Sequence, residues 1–157
     1  MGLFLTDGSS ADLFNALTEA LEAEGAMCEV VALKIGGVSL DDGTKVAAKQ
    51  KIDGGPSVLF DAAAVLPSEA GVAMLLKDAA SKDFAADAFG HCKFIGYSAA
   101  ATFLFDAARV PELDDGLLAL RGAKDVQAFV ASCRKLRYWP REMKVDLDAA
   151  SLSAQPY

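Results

Sequence analysis

The 157-residue chain has the length of a single domain, and 53% of its residues are hydrophobic, which is enough for a folded core. Its net charge of -7 and pI near 4.6 argue against electrostatic attraction of the whole chain to nucleic acid or to an anionic membrane. The single histidine, His91, excludes every site that needs two histidines.

The start of the chain and its cysteines favour a cytoplasmic protein. No basic region precedes the first apolar run, whereas a secretory signal would carry one. The longest candidate for a membrane span, Tyr97 to Val110, is too short and is interrupted by two charged residues. The three cysteines are odd in number and far apart, which favours buried free thiols over disulfides. They are Cys28, Cys92 and Cys133.

The first third of the chain predicts a strand, a helix, a second strand and a hairpin. The strand at Leu3 to Leu5 is followed by a turn, in which Ser9 or Ser10 caps the helix. The apolar residues of this helix share one face, and they are Leu13, Phe14, Leu17 and Leu21. The run from Met27 to Leu33 predicts a buried parallel strand. From Lys34 to Pro56, glycine-separated segments predict a hairpin-like insertion that turns at Asp42-Gly43.

The rest of the chain continues the alternation of strands and helices. Further strands are predicted at Ala62 to Leu66, Lys93 to Tyr97 and Leu117 to Leu120. Further helices are predicted at Gly71 to Lys77, Ser81 to Phe89, Ala99 to Ala108 and Asp125 to Tyr138. This alternation predicts an α/β fold in which helices cover both faces of a mostly parallel sheet.

Two junctions between a strand and a helix are candidate sites, because ligands in parallel sheets bind beyond the carboxyl ends of strands. The first, Thr6 to Ser10, lacks the glycine spacing of a nucleotide-binding loop and is interpreted as a helix cap. The second, Lys93 to Thr102, looks like a nucleophile elbow centred on Ser98. His91 precedes that strand, so seven extended residues put it roughly 20 Å from Ser98. We therefore interpret His91 as the cap of the preceding helix.

Five short motifs are spread in order over nearly the whole chain. They are Leu5 to Gly8, Leu40 to Thr44, Asp53 to Ala62, Phe89 to Ile95 and Leu136 to Arg141. Together they resemble the C-terminal domain of large-subunit catalases of the hydroperoxidase II type. The resemblance implies the flavodoxin-like three-layer sandwich of the DJ-1/PfpI and class I glutamine amidotransferase superfamily. We expect one domain over residues 1–145 and a C-terminal tail over residues 146–157.

The resemblance also has consequences for chemistry. Active members of the superfamily have a cysteine at the elbow and a glutamate after the first strand, and those places are held here by Ser98 and Ser10. The elbow is therefore expected to be degenerate, with no catalytic residue. Large-subunit catalases convert hydrogen peroxide to water and oxygen at a haem in a core that precedes this domain. Accordingly, no cofactor is expected in this chain, and haem is expected only in that core.

The resemblance implies a noncatalytic domain with a structural, stabilising or assembly role. Its expected partners are the haem-catalase core of the same parent chain and neighbouring subunits; homo-oligomerisation stays open, and neither nucleic acid nor membrane is expected. The alternative is a stand-alone DJ-1/PfpI-like stress protein, acting as a hydrolase through Ser98 or as a chaperone-like binding module. The start at Met1 fits either a fragment of a longer enzyme or a separately encoded protein.

The last part of the chain is basic. Its five basic residues are Arg134, Lys135, Arg137, Arg141 and Lys144. We interpret them as solvated charges that complement the dipole of the last helix, with orientation against an acidic partner as the alternative. Trp139 is expected to pack on its own domain, and the alternative is that it contacts a catalase core.

Overall fold

The computed structural model describes residues 1–142, so the predicted tail and the end of the predicted domain lie outside the described residues. The strands are β1 (Gly2–Leu5), β2 (Glu29–Ala32), β3 (Val38–Ser39), β4 (Lys45–Val46), β5 (Gln50–Lys51), β6 (Ala63–Leu66), β7 (Ile95–Tyr97) and β8 (Leu117–Ala119). The α-helices are α1 (Ala11–Ala23), α2 (Glu69–Leu75), α3 (Ala79–Gly90), α4 (Ala101–Ala107) and α5 (Ala123–Cys133). None of these helices is long and apolar enough to cross a membrane.

The described strands form one main sheet and one small hairpin. Six strands pair in the order β5-β2-β1-β6-β7-β8, and every pair is parallel. Strands β3 and β4 form a separate antiparallel pair, with the turn at Asp42-Gly43 that the sequence predicts. This arrangement confirms the predicted α/β fold and its hairpin insertion. All six parallel strands share one carboxyl edge and one opposite amino edge.

Alternating side chains of the central strands feed two separate cores. Leu3 and Leu5 of β1 pack into a core with residues of α1 and α5. Phe4, between them, points through the sheet into a second core formed with α2, α3 and α4. This period of two residues is what a strand buried on both faces requires. The layers are therefore helix, sheet and helix, which confirms the expected flavodoxin-like three-layer sandwich.

Two element predictions near β2 need correction. The strand predicted from Met27 begins only at Glu29, and Met27 is 84% exposed. The segment Gln50–Lys51 was expected to belong to the hairpin insertion, but it pairs in parallel with β2 as the edge of the main sheet. A two-residue polar strand carries no hydrophobic period, so its pairing is set by tertiary contacts that the local sequence does not encode.

The last helix is shorter than predicted. It ends at Cys133 and not at Tyr138, and Leu136 follows in a left-handed conformation with φ of 64°. The backbone N–H of Tyr138 donates to the carbonyl of Cys92 at 2.6 Å. The chain therefore leaves the helix to bind the segment that precedes β7, which removes the helical hydrogen bonds expected there.

Arg141 fixes this final segment to the amino edge of the sheet. Its side chain is 1% exposed, and its guanidinium binds both carboxylate oxygens of Asp114, at 2.7 and 2.8 Å. The remaining terminal nitrogen donates to the carbonyls of Phe89 and Lys93, at 3.1 and 2.9 Å. The guanidinium also lies 4.2 Å from the centre of the Phe89 ring. The interpretation of Arg141 as a solvated charge is therefore wrong, because its guanidinium is buried and binds partners from distant parts of the chain.

The neighbours of Arg141 also contact the domain. Arg134 pairs with Glu24 across α1 and α5, with a distance of 2.9 Å between Nε and Oε2. Arg137 donates to the carbonyl of Asp61 at 3.1 Å. Trp139 is 59% exposed, so the expectation that it packs on its own domain is wrong. Lys144 lies outside the described residues.

A second buried cation lies at the same edge. Lys93 is 1% exposed, and its ammonium donates to the carbonyls of Ser57 and Phe60. These two carbonyls belong to the short 3₁₀ helix Ser57–Leu59 and the residue that follows it. The lysine therefore fixes the conformation of the loop that leads into β6.

Candidate functional site

Ser98 lies at the carboxyl edge, where β7 ends and the chain turns towards α4. Its hydroxyl donates to the carbonyl of Pro67 at 3.0 Å, and its backbone N–H donates to Val65 at 3.1 Å. The described non-glycine residues with positive φ are Cys92, Arg109 and Leu136. Ser98 is thus outside the left-handed region and lacks the strained backbone of a nucleophile elbow. The Ser98 hydroxyl is engaged with the main chain of the neighbouring junction.

The turn after β1 uses its donors within the domain. The side chain of Ser10 accepts the N–H of Leu13 at 3.2 Å, so Ser10 and not Ser9 is the N-cap of α1. The N–H of Ala11 donates to the carboxylate of Asp41, in the hairpin, at 2.9 Å. Because these contacts occupy donors that an anion would need, the turn acts as the helix cap that the sequence predicts.

Three further hydroxyl groups, those of Thr6, Ser9 and Ser68, link the turn after β1 to the turn after β6. The buried Ser9 hydroxyl donates to Leu66 at 2.6 Å and accepts the N–H of Thr6 at 2.9 Å. The Thr6 hydroxyl accepts the N–H of Ser68 at 2.9 Å, and the Ser68 hydroxyl donates to Asp7 at 2.6 Å. Sequence reasoning missed Ser68, although a serine directly before the helix-forming residue Glu69 is a signal for an N-cap.

His91 lies at the opposite edge of the sheet from Ser98. It is exposed and follows α3, and its backbone N–H donates to the carbonyl of Asp87 at 2.9 Å, as a helix cap does. Strand β7 separates the two residues, with His91 before it and Ser98 after it. The structure therefore does not bring the single histidine within reach of the serine hydroxyl.

The prediction of buried free thiols is right for Cys92 and wrong for Cys28 and Cys133, which are half-buried. Cys92, Cys133 and the buried amine of Lys93 have pKa values displaced by their surroundings. Burial raises the pKa of the Cys92 thiol, and it raises that of Cys133 to about 12. Burial lowers the pKa of Lys93 from its usual value. Cys92 and Lys93 precede β7 and Cys133 ends α5, so none of the three lies in the Ser98 junction. The thiols stay protonated at neutral pH, which makes them poor nucleophiles.

Side chains that could ligate a metal are dispersed among the described residues, and two of the tyrosines are packed in the domain. Residues 1–142 contain no group of three or more acidic, histidine or cysteine side chains that could hold a metal. Tyr97 packs edge-on against Phe105, with ring centres 5.4 Å apart. Tyr138 packs between Phe94 and Arg141. Both rings are used in packing within the domain. Tyr157 lies outside the described residues.

A small cavity of about 160 Å³ lies at the carboxyl ends of β1 and β2. Its lining is mainly apolar and includes Leu5, Ala32 and Val38, and Lys34 lies at its wall. Ser98 does not line it. The cavity therefore does not supply a substrate space for the elbow serine.

The hydroxyl contacts predict a ranking of stability losses. We expect Ser9→Ala to cost about 1–3 kcal/mol in the free energy of unfolding, because it leaves a buried carbonyl and a buried N–H without a partner. Ser98→Ala should cost less, about 0.5–1.5 kcal/mol, because Ser98 is half-buried and loses one neutral hydrogen bond. Urea unfolding of the two variants measures the order, and a larger loss for Ser98→Ala would contradict it.

The raised pKa of Cys133 predicts a loss of stability at alkaline pH. Its unfolded thiol ionises near pH 9 and its folded thiol only near 12, so the unfolded state releases a proton first as pH rises. Stability linked to this thiol is full below pH 9 and falls between pH 9 and 12. By pH 10 the wild type should lose about 1 kcal/mol more than Cys133→Ser, whose hydroxyl does not ionise there. Urea unfolding at pH 8 and pH 10 measures this. An equal change in the free energy of unfolding for the two proteins would contradict the prediction.

The amino-acid sequence matches part of several long catalases. Residues 2–143 match the family described as the C-terminal domain found in long catalases. The chain is 46% identical over 148 residues to catalase C of Rhizobium meliloti (strain 1021), covering 94% of the chain and 21% of that protein. It is 33% identical over 127 residues to catalase-B of Dictyostelium discoideum, covering 80% of the chain and 18% of that protein. The chain therefore spans about a fifth of the length of these relatives.

Solved structures with the same fold are found in the DJ-1 and ThiJ/PfpI group. DJ-1 of Schizosaccharomyces pombe superposes with a TM-score of 0.70 at 15% identity, covering 99% of this chain and 98% of that one. A ThiJ/PfpI domain protein from Brachyspira murdochii gives a TM-score of 0.71 at 12% identity, covering 86% and 94%. At these identities the likeness concerns the fold alone. By its sequence match, this chain belongs to the family of C-terminal domains of long catalases.

Proposed function

We propose that this chain serves a long catalase as a noncatalytic domain that stabilises or helps to assemble the enzyme. The observation that carries the proposal is the hydrogen bond from Ser98 to the carbonyl of Pro67. A serine becomes a nucleophile when a base accepts its proton, and a main-chain carbonyl is not such a base. The serines at both family positions are thus used in holding junctions of the fold together.

The reaction of the proposed parent enzyme is the conversion of hydrogen peroxide to water and oxygen. That chemistry takes place at a haem in the part of a long catalase that precedes this domain. In this proposal the domain supplies no ligand to the haem and no group to the reaction. Its contribution is free energy of folding or of assembly, transferred to the rest of the enzyme through contacts between domains.

A hydrolase that uses Ser98 is the second candidate, and two features of the site count against it. The single histidine lies at the amino edge of the sheet, on the other side of β7. The serine also lacks the left-handed backbone that projects an elbow nucleophile. Nothing in the described residues favours a chaperone-like module over the catalase domain.

The test uses full-length catalase C of Rhizobium meliloti in which this chain replaces the matching segment. We expect the chimera with Ser98→Ala to retain its turnover per haem. Deletion of the domain should keep the turnover per haem and shorten the half-life at elevated temperature by about tenfold. A truncated chain can fail to fold, so Arg141→Met in the chimera serves as the second variant. It should likewise keep the turnover per haem and shorten the half-life. Loss of turnover per haem with Ser98→Ala, or equal half-lives with and without the domain, would contradict the proposal.

A further inference from the structure

Exposed apolar side chains are concentrated at the amino edge of the sheet. Among residues 1–142, nine large hydrophobic side chains are exposed, and six of them lie at or beside this edge: Leu113, before β8, and five that surround the grooves described below. We call these five the amino-edge face: Met27, Val58, Leu59, Leu136 and Trp139. Clusters of exposed apolar residues on a soluble domain mark sites of interaction, whereas single ones do not.

Two grooves give this face its relief. One, of about 500 Å³, is lined by residues that include Met1, Met27 and Leu59. The other, of about 410 Å³, is lined by residues that include Val58 and Trp139. Val58 lines one groove and the next residue, Leu59, lines the other, so the two grooves adjoin.

The centre of the face is held rigidly from below. The ammonium of Lys93 donates to the carbonyls of Ser57 and Phe60, which flank Val58 and Leu59 in the chain. The two apolar side chains therefore project from a backbone that is fixed on both sides. A rigid presentation lowers the entropy that is lost when a partner binds.

Trp139 is held in the same way. Tyr138 donates its N–H to Cys92, and Arg141 is buried against Asp114 and Phe89. Fixed neighbours on both sides hold the backbone of Trp139 in place. Tryptophan is the residue type most enriched among the residues that dominate binding energy at interfaces.

We propose that the amino-edge face packs against the preceding part of a long catalase chain; this inference rests on the proposed function. The family is a C-terminal domain, so in a long catalase the rest of the enzyme precedes β1. Strand β1 begins at Gly2, and Met1 lines the groove that also contains Met27 and Leu59. The preceding polypeptide therefore reaches this domain at the amino-edge face. The matched segment is only 21% of the Rhizobium relative, which leaves a large body to cover the face.

The test compares the catalase chimera with the 157-residue chain alone. Hydrogen exchange measured by mass spectrometry should be at least about tenfold slower at residues 57–60 and 137–140 in the chimera. In the chimera, Leu59→Glu and Trp139→Glu should each shorten the half-life at elevated temperature by about tenfold. Phe103→Glu on α4, where the wild-type ring is 60% exposed, is the matched control and should leave the half-life unchanged. Circular dichroism of each variant chain alone checks that the domain still folds.

Three results would overturn this assignment. Equal exchange at residues 57–60 and 137–140 in the chimera and in the chain alone would show that nothing covers the face. An equal effect of Phe103→Glu would show that the surface position does not matter. A dimer of the chain alone that Trp139→Glu dissociates, without exchange protection in the chimera, would assign the face to a second copy. If the proposed function is wrong, deletion of the domain leaves the half-life unchanged. Hydrogen exchange still reports whether the face is covered, so the two failures can be told apart.

Discussion

Replacing Arg141 by methionine is expected to lower the free energy of unfolding by about 3–5 kcal/mol, because it leaves a buried carboxylate without its charged partner. Asp114 is nearly as buried as Arg141, with 7% of its side chain exposed. The substitution also removes the donors to two main-chain carbonyls, those of Phe89 and Lys93. Chemical unfolding monitored by circular dichroism measures the loss.

A second arginine of the same region provides the control. Arg134 also pairs with a carboxylate, that of Glu24, but both side chains lie at the surface. Arg134→Met should therefore have a much smaller effect than Arg141→Met, since exposed ion pairs contribute little. The double variant Arg141→Met with Asp114→Leu should lose less than the sum of the two single variants, because it leaves no unpaired charge. Arg141→Met within about 1 kcal/mol of wild type would contradict the assignment of this pair as a structural clamp.

Phe129→Ala is expected to cost about 3–5 kcal/mol, because it removes a whole aromatic ring from a close-packed core. Phe129 is fully buried on α5 and packs in the core that α5 shares with α1. Its ring lies directly over Gly96 of β7, where an added Cβ would come within 2.8 Å of it. The tight fit leaves little room for the surroundings to collapse into the cavity that alanine would create.

Phe103→Ala is the matched control for this loss. The residue type and the substitution are the same, but the Phe103 ring on α4 is exposed to solvent. Its removal should change the free energy of unfolding by no more than about 0.5 kcal/mol. Equal losses for the two variants, measured by the same urea titration, would contradict the assignment of Phe129 to the core.

The sequence predicts the layers of this fold because its hydrophobic residues follow two periods, that of a strand and that of a helix. Alternation at Leu3, Phe4 and Leu5 and the helical spacing of Leu13, Leu17 and Leu21 match the cores that the structure contains. Strand β5 has no such signal, since Gln50 and Lys51 are polar and its pairing depends on β2. Local pattern identifies buried elements well, and it does not identify short edge strands.

The end of the chain shows where sequence reasoning stops. Residues 134–137 have a composition that suits a helix, yet the helix ends at Cys133 because Tyr138 and Arg141 bind elsewhere. Arg141 resembles its basic neighbours in sequence, and its partner Asp114 lies 27 residues earlier in the chain. Burial of a charge is decided by such distant partners, which a single sequence does not reveal.

At the candidate site, the sequence indicates which residues occupy the family positions but not how they are bonded. Ser98 and Ser10 are visible in the sequence as replacements for cysteine and glutamate. The acceptor of the Ser98 hydroxyl, Pro67, lies 31 residues away and meets it only because β6 and β7 are neighbours. This hydrogen bond is the contact that favours a structural role for Ser98.

We propose that Ser98 is a structural serine in a domain without chemistry of its own. Incubation with a serine-directed fluorophosphonate, followed by intact mass measurement, tests it most directly. We expect no adduct on the wild type, as for Ser98→Ala. Stoichiometric addition of one phosphonyl group to the wild type, absent in Ser98→Ala, would contradict it.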